Sequence, residues 1–185
     1  MNEPVGTART NTAVGPLLIR HLALLVIPML LVVGLDRITK GWVQANIWDP
    51  PREVVLVPGW LELTPVANRG IAFGIMQEAG GALAIVAVGM LAAVAIKSWR
   101  QLLKAPGIVR LSLGLIAGGA IGNVIDRAQW GYVTDFIRVP PIVIFQVFNI
   151  ADASICVGAA ILAFALWWGD RERKPQPASA APASE

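Results

Sequence analysis

Four stretches of this 185-residue chain, at about 17–40, 80–99, 107–127 and 146–168, are long and apolar enough to cross a lipid bilayer. A span needs about 20 mostly apolar residues, coiled so that each backbone polar group is satisfied within the helix. Hydrophobic residues make up 56% of the chain and charged ones 15%, and the mean hydropathy is +0.64. That exceeds what a soluble domain of this size needs for a core. The expected fold is therefore mainly α: an integral membrane bundle of four transmembrane helices. The first window runs straight into Asp36, Arg37, Ile38, Thr39 and Lys40 with no small-x-small cleavage site, so it reads as a retained helix rather than a leader peptide.

Basic residues set the orientation, because they stay on the cytoplasmic side. With both termini inside, the cytoplasmic segments carry nine Lys and Arg against four Asp and Glu, and the opposite side carries six against eight. The segment between the second and third windows is purely basic. This charge belongs to membrane topology and not to nucleic acid, since no basic face with interleaved aromatics is present. The seven tryptophans fall at or beyond the ends of the windows, as interfacial anchors do. Cys156 is the only cysteine, which excludes an intramolecular disulfide.

The expected domain layout is a disordered cytoplasmic segment at 1–16, a membrane domain at 17–168 and a Pro/Ala/Ser-rich cytoplasmic tail at 169–185. The one sizeable extramembrane piece covers about 43–79. Within it, EVVLVPGWLELTP alternates around the turn dipeptide Pro58-Gly59 and predicts a β-hairpin, 53–57 with 60–64, lying against the membrane surface. The following ANRGIAFG reads as a loop returning to the interface. In the third window Gly114, Gly118 and Gly122 recur every four residues, a stripe that lets a neighbouring helix approach closely.

The polar residues of this chain gather at one depth. Asp36 and Lys40 lie at the outer end of the first window, and Asn123, Asp126 and Arg127 at the outer end of the third. Asp135 follows in the outer loop, and Asn149 and Asp152 open the fourth. The inner halves are almost bare. Each pair has an ordinary explanation on its own. Asp36 and Lys40 at i,i+4 suit a snorkelling ion pair, Arg127 suits a lipid-phosphate anchor, and Asp152 suits an acid at a helix N-terminus. Asp126 is turned about 100° from the Asn123–Arg127 face and is expected to meet water or cap the helix. Their joint occurrence at one depth favours a functional site. A carboxylate near hydrocarbon costs roughly 2.5–3.5 kcal/mol on insertion scales.

Elimination narrows the chemistry. The only histidine, His21, sits at the opposite end of the first helix, so a Ser-His-Asp or Cys-His site has no base. A serine–lysine dyad of Lys40 and Ser154 is formally possible, but Ser154 lies about 200° round the helix from Asp152 and turns away from the polar face. Cys156, one turn beyond Asp152, reads as a small buried filler. Zinc is disfavoured for want of ligands. Asp135 and Asp152 remain. Two carboxylates at an apolar interface tend to share one proton, the ionised one activating water and the protonated one donating to a carbonyl. That chemistry needs no cofactor and no metal. A proton-coupled carrier or channel subunit also uses intramembrane acids, but it predicts polar residues through both leaflets. A purely structural assembly protein leaves the Asn/Asp clustering unexplained.

The segments GNVIDRAQWGYVTDF (122–136) and FNIADASICVG (148–158) resemble the two catalytic blocks of the lipoprotein signal peptidases, or signal peptidase II. NRGIAFG (68–74) and DRITK (36–40) resemble two further blocks, with Arg37 where glutamine is expected and Ile71 where alanine is common. The resemblance implies a multi-pass enzyme of the bacterial cytoplasmic (inner) membrane, an aspartic endopeptidase with Asp135 and Asp152 as catalytic dyad. Asn68, Asn123, Arg127, Asn149, Asp36 and Lys40 would support it. It implies a diacylglyceryl-modified prolipoprotein as substrate, cut just before the lipidated lipobox cysteine. The partners expected are that substrate and membrane lipids, with the enzyme acting as a monomer.

Overall fold

In the computed structural model, residues 14–70, 99–141 and 147–173 are described, together with Gly89, Ala93 and Lys97. Apolar sequence of bilayer length produces helices, as expected: α1 (Val14–Asn46), α3 (Gly107–Trp130) and α4 (Ile150–Arg173), with a short α2 (Trp99–Lys104) leading into α3. Three of them contain segments long and apolar enough to cross a membrane: His21–Asn46, Gly107–Trp130 and Ile150–Gly169. The window at about 80–99 lies almost wholly outside the described residues. Helix α1 extends six residues past the expected end at 40, to Asn46, and its last turns pack against the sheet.

Helix α3 is the centre of the bundle because its glycines admit a neighbour on each side. A Cβ on Gly118 would lie 2.7 Å from the Met29 carbonyl, and one on Gly122 would lie 2.7 Å from Asp36 Oδ2. Gly114 is pressed likewise against the Leu25 carbonyl of α1. On the other side Gly119 meets the Ala151 carbonyl of α4. The faces turned away from these contacts are apolar and exposed. They include Leu30, Leu31, Leu35 and Ile38 on α1 and Phe164, Leu166, Trp167 and Trp168 on α4. Exposure on that scale suits lipid as the surrounding medium. Helix α3 stops at Gly131, whose φ of 74° lets its N–H donate back to the Arg127 carbonyl.

Beyond this end of the bundle lies a three-stranded antiparallel sheet, ordered β1 (Val54–Val57), β2 (Leu61–Asn68), β3 (Val133–Arg138). The expected hairpin forms, but β2 runs on to Asn68. Segment 133–138, expected as outer loop, is a strand paired with β2. Asp135 is therefore a strand residue, set opposite Val66. Between Leu63 and Val66 the register slips by one residue, so Pro65 sits in a bulge, where its missing N–H is tolerated. Past β3, the Phe148 backbone pairs with Ile137 in both directions, at 2.8 and 3.0 Å. This bridge delivers the start of α4 to the side of β3. Val43, Ile47 and Phe136 form the buried nucleus that fastens the sheet to α1, with Trp48, Leu63 and Ile150 packed around it. Trp48, expected as an interfacial anchor, instead stacks on Tyr132 at 5.6 Å. The other six tryptophans are exposed.

Candidate functional site

Asn149 and Asp152 are the residues on which the site is built. Asn149 precedes the first residue of α4, and Asp152 is the third residue of that helix. The Asp152 N–H donates to Asn149 Oδ1 at 2.9 Å, and the Asn149 N–H donates to Asp152 Oδ2 at 3.3 Å. This reciprocal cap satisfies two donors that a helix start leaves open. It leaves the Asn149 amide nitrogen free to reach sideways. That nitrogen donates to Asp135 Oδ1 at 2.7 Å and to Asn123 Oδ1 at 3.2 Å.

Each carboxylate is completed by a second amide. Asn68, at the end of β2 and diagonal to Asp135 across the sheet, donates to Asp135 Oδ2 at 2.8 Å. Asn123 of α3 donates to Asp152 Oδ1 at 2.7 Å. Asp135 is only 2% exposed. Burial, reinforced by the charge of Asp152, pushes its carboxyl up from 3.8 to about 7. A carboxyl poised there can hold a proton at neutral pH and can also give it up.

Beneath this pair lies a fully buried ionic layer. Lys40 Nζ contacts Asp36 Oδ2 at 2.8 Å, Asp126 Oδ2 at 3.0 Å and Asn123 Oδ1 at 3.1 Å. Asp36 Oδ1 accepts the Ala151 N–H at 3.1 Å, so α1 holds the first turn of α4. Asp36 and Lys40 are both 0% exposed. They are a buried pair and do not snorkel. Arg127 Nη2 donates to the Gly70 carbonyl at 2.7 Å, while the Gly70 N–H donates to Asn68 Oδ1 at 3.0 Å. Arg127 thus clamps the turn that presents Asn68. The eight residues singled out in the sequence fall into one network of hydrogen bonds and ion pairs.

Two sequence readings are corrected. Asp126 does not meet water or cap the helix. It is 0% exposed, ion-paired with both Arg37 and Lys40, and its Oδ2 accepts the Thr134 N–H at 2.9 Å. The turn of α3 aims it at α1 and β3, directions that helical spacing within α3 cannot reveal. Its signal was present all the same, since an acid in an apolar helix requires a cation. Cys156 is exposed rather than buried. Gln44, which donates to Thr134 Oγ1 at 2.9 Å, was also missed, its partner lying far along the chain.

Toward the opposite end of α3, Arg110 and Ser112 are buried. Arg110 donates to the Ala105 carbonyl at 2.7 Å and Ser112 to the Val109 carbonyl at 2.8 Å. Among the described residues no three His, Cys, Asp or Glu side chains converge to hold a metal ion.

Residues 28–168 match the sequence profile of a protein family described as Signal peptidase (SPase) II. A lipoprotein signal peptidase of Syntrophomonas wolfei is 46% identical over 147 residues, which is 78% of this chain and 94% of that protein. One from Moorella thermoacetica is 37% identical, covering 79% of this chain and 95% of the relative. One from Caulobacter vibrioides is also 37% identical, over 70% of this chain and 78% of its own. Among solved structures, a bacterial membrane enzyme superposes with a TM-score of 0.67 at 24% identity, over 83% of this chain and 93% of that one. At that identity the superposition speaks for the fold alone.

Proposed function

The chain belongs to the signal peptidase II family, whose work is to remove the signal peptides of lipoproteins, and from that premise we propose that Asp135 and Asp152 are its catalytic dyad. The observation that carries this is their joint attachment to Asn149. One residue orients both carboxylates, while burial keeps Asp135 at about 7.

In the working state the pair holds one proton. The ionised carboxylate takes a proton from a water as that water attacks the scissile carbonyl carbon. The protonated partner donates to the carbonyl oxygen, giving a neutral tetrahedral diol. Collapse breaks the C–N bond, with a proton passed to the leaving nitrogen and the pair returned to its starting charge. Asn68, Asn123 and Asn149 fix the carboxylate planes, and their N–H donors aim at oxygens rather than at bulk water. Asp36 and Lys40 support from beneath. Arg127 holds the Asn68 turn.

The substrate is a prolipoprotein whose lipobox cysteine carries a diacylglyceryl group, cut just before that cysteine. The site's place at one end of the apolar helices supports this, since a lipid chain can enter sideways while the peptide arrives from the sheet side. The proposed topology has four spans, the second at about 80–99, and both termini on the cytoplasmic side of the inner membrane. Residues 17–168 form the peptidase domain of a monomer, and 1–16 and 169–185 its tails. The test is cleavage of a diacylglyceryl-modified lipobox peptide by protein reconstituted in lipid. Asp135→Asn and Asp152→Asn should each abolish turnover, and a chelator should leave the parent's rate unchanged. Full activity in either variant removes the dyad.

A further inference from the structure

Among the described residues, the ion pairs of the layer under the dyad are completed by a cation at its rim. Asp36 and Asp126 are both 0% exposed, and Lys40 alone would leave this layer one negative charge in excess. Arg37 supplies the missing cation. Its side chain, 27% exposed, reaches from α1 to α3, where it pairs with Asp126 Oδ1 and donates from Nη2 to Gln129 Oε1 at 3.3 Å. The other oxygen of the same carboxylate accepts the Thr134 N–H at 2.9 Å, and Thr134 is the residue before Asp135 on β3. Arg37 therefore fixes the carboxylate that fixes the strand carrying Asp135. It also cancels the charge that the dyad would otherwise face from below.

We propose that Arg37 is a positioning residue: acting through Asp126 and the Thr134 backbone, it seats Asp135 and sets the pH range in which the dyad works. This rests on the dyad reading above. Among the described residues, the charged groups turned toward this site are Asp36, Arg37 and Lys40 from α1, and Asp126 and Arg127 from α3. Asp135 comes from β3 and Asp152 from α4, while β2 contributes the neutral Asn68. Removing one positive charge from this set makes loss of the dyad's shared proton harder, so activity should persist to higher pH.

The experiment is the pH–activity profile on a diacylglyceryl-modified lipobox peptide for the parent, Arg37→Lys, Arg37→Gln and the double variant Arg37→Gln/Asp126→Asn. The alkaline limb of Arg37→Gln should move up by roughly half to one pH unit. That is the size of one charge removed across a helix-packing distance of about 10 Å at an effective dielectric of about 20–40. Arg37→Lys should keep the parent's limb, and the double variant, whose charge change cancels, should return to it. An unshifted Arg37→Gln, a shift in Arg37→Lys as large as in Arg37→Gln, or a double variant that stays displaced overturns the proposal. Asp135→Asn, assayed alongside, separates the two claims. Activity there sinks the dyad, whereas an inactive Asp135→Asn beside an unshifted Arg37→Gln sinks only the role of Arg37.

Discussion

Replacing Asp135 by Asn should remove a loss of stability that the parent suffers as pH rises, while destroying its activity, and the size of the effect can be worked from the site. The Asp135 carboxyl has an ordinary value of 3.8 and stands at about 7 in the fold, raised first by burial and then by Asp152. An acid raised by folding binds its proton more tightly in the native state than in the unfolded chain. Below 3.8 both states are protonated and there is no penalty. Between 3.8 and about 7 the unfolded chain gives up the proton and the fold retains it, so stability falls as pH rises. Above about 7 the loss is complete. At about 1.36 kcal/mol per pH unit the interval comes to roughly 4 kcal/mol, a ceiling for one group. Asparagine carries no such penalty. The difference in stability between variant and parent should thus shift in the variant's favour from pH 4 to pH 8, whatever constant change the altered hydrogen bonds to Asn68 and Asn149 introduce. For a chain of this length about 4 kcal/mol corresponds to roughly 8–16 °C in melting temperature. Intrinsic tryptophan fluorescence during heating in detergent, at both pH values, reads it directly. A gap constant to within about 2 °C, under about 1 kcal/mol, would refute the idea that a buried, proton-holding Asp135 sits in this site.

Two further outcomes follow from the layers below. Lys40→Met leaves Asp36 and Asp126 buried with one cation fewer and should cost about 3–5 kcal/mol, seen as a large fall in melting temperature. Adding Asp36→Asn should recover part of it, and an unchanged Lys40→Met would mean the ionic layer is not closed. Gly122→Ala would place a Cβ 2.7 Å from Asp36 Oδ2, and overpacking of this kind costs about 1–3 kcal/mol. A drop in both melting temperature and turnover is expected, whereas Gly34→Ala, inside α1 and meeting nothing within 4 Å, should leave turnover unchanged and raise the melting temperature slightly, since Ala is favoured over Gly in a helix by about 0.5–1 kcal/mol.

What could be read without coordinates was whatever solvent alone dictates. Long apolar stretches must be helices in a bilayer, so α1, α3 and α4 were legible from hydropathy. Polar side chains must sit where hydrocarbon ends, so Asp36, Asn123, Asp135 and Asn149 declared a common depth. The Pro58-Gly59 turn announced its hairpin locally. Tertiary structure decided direction and partnership. Strand β3 was missed because its partner, β2, is about seventy residues earlier and its first four residues are all buried, which erases the alternation that marks a strand. Asp126 and Arg37 gave no local hint of each other, since they meet only after the glycine face of α3 brings it against α1. Depth is a property of one residue and its medium, and the chain states it outright. Which oxygen faces which nitrogen depends on helix approach and strand register together, and that is settled only when distant segments pack.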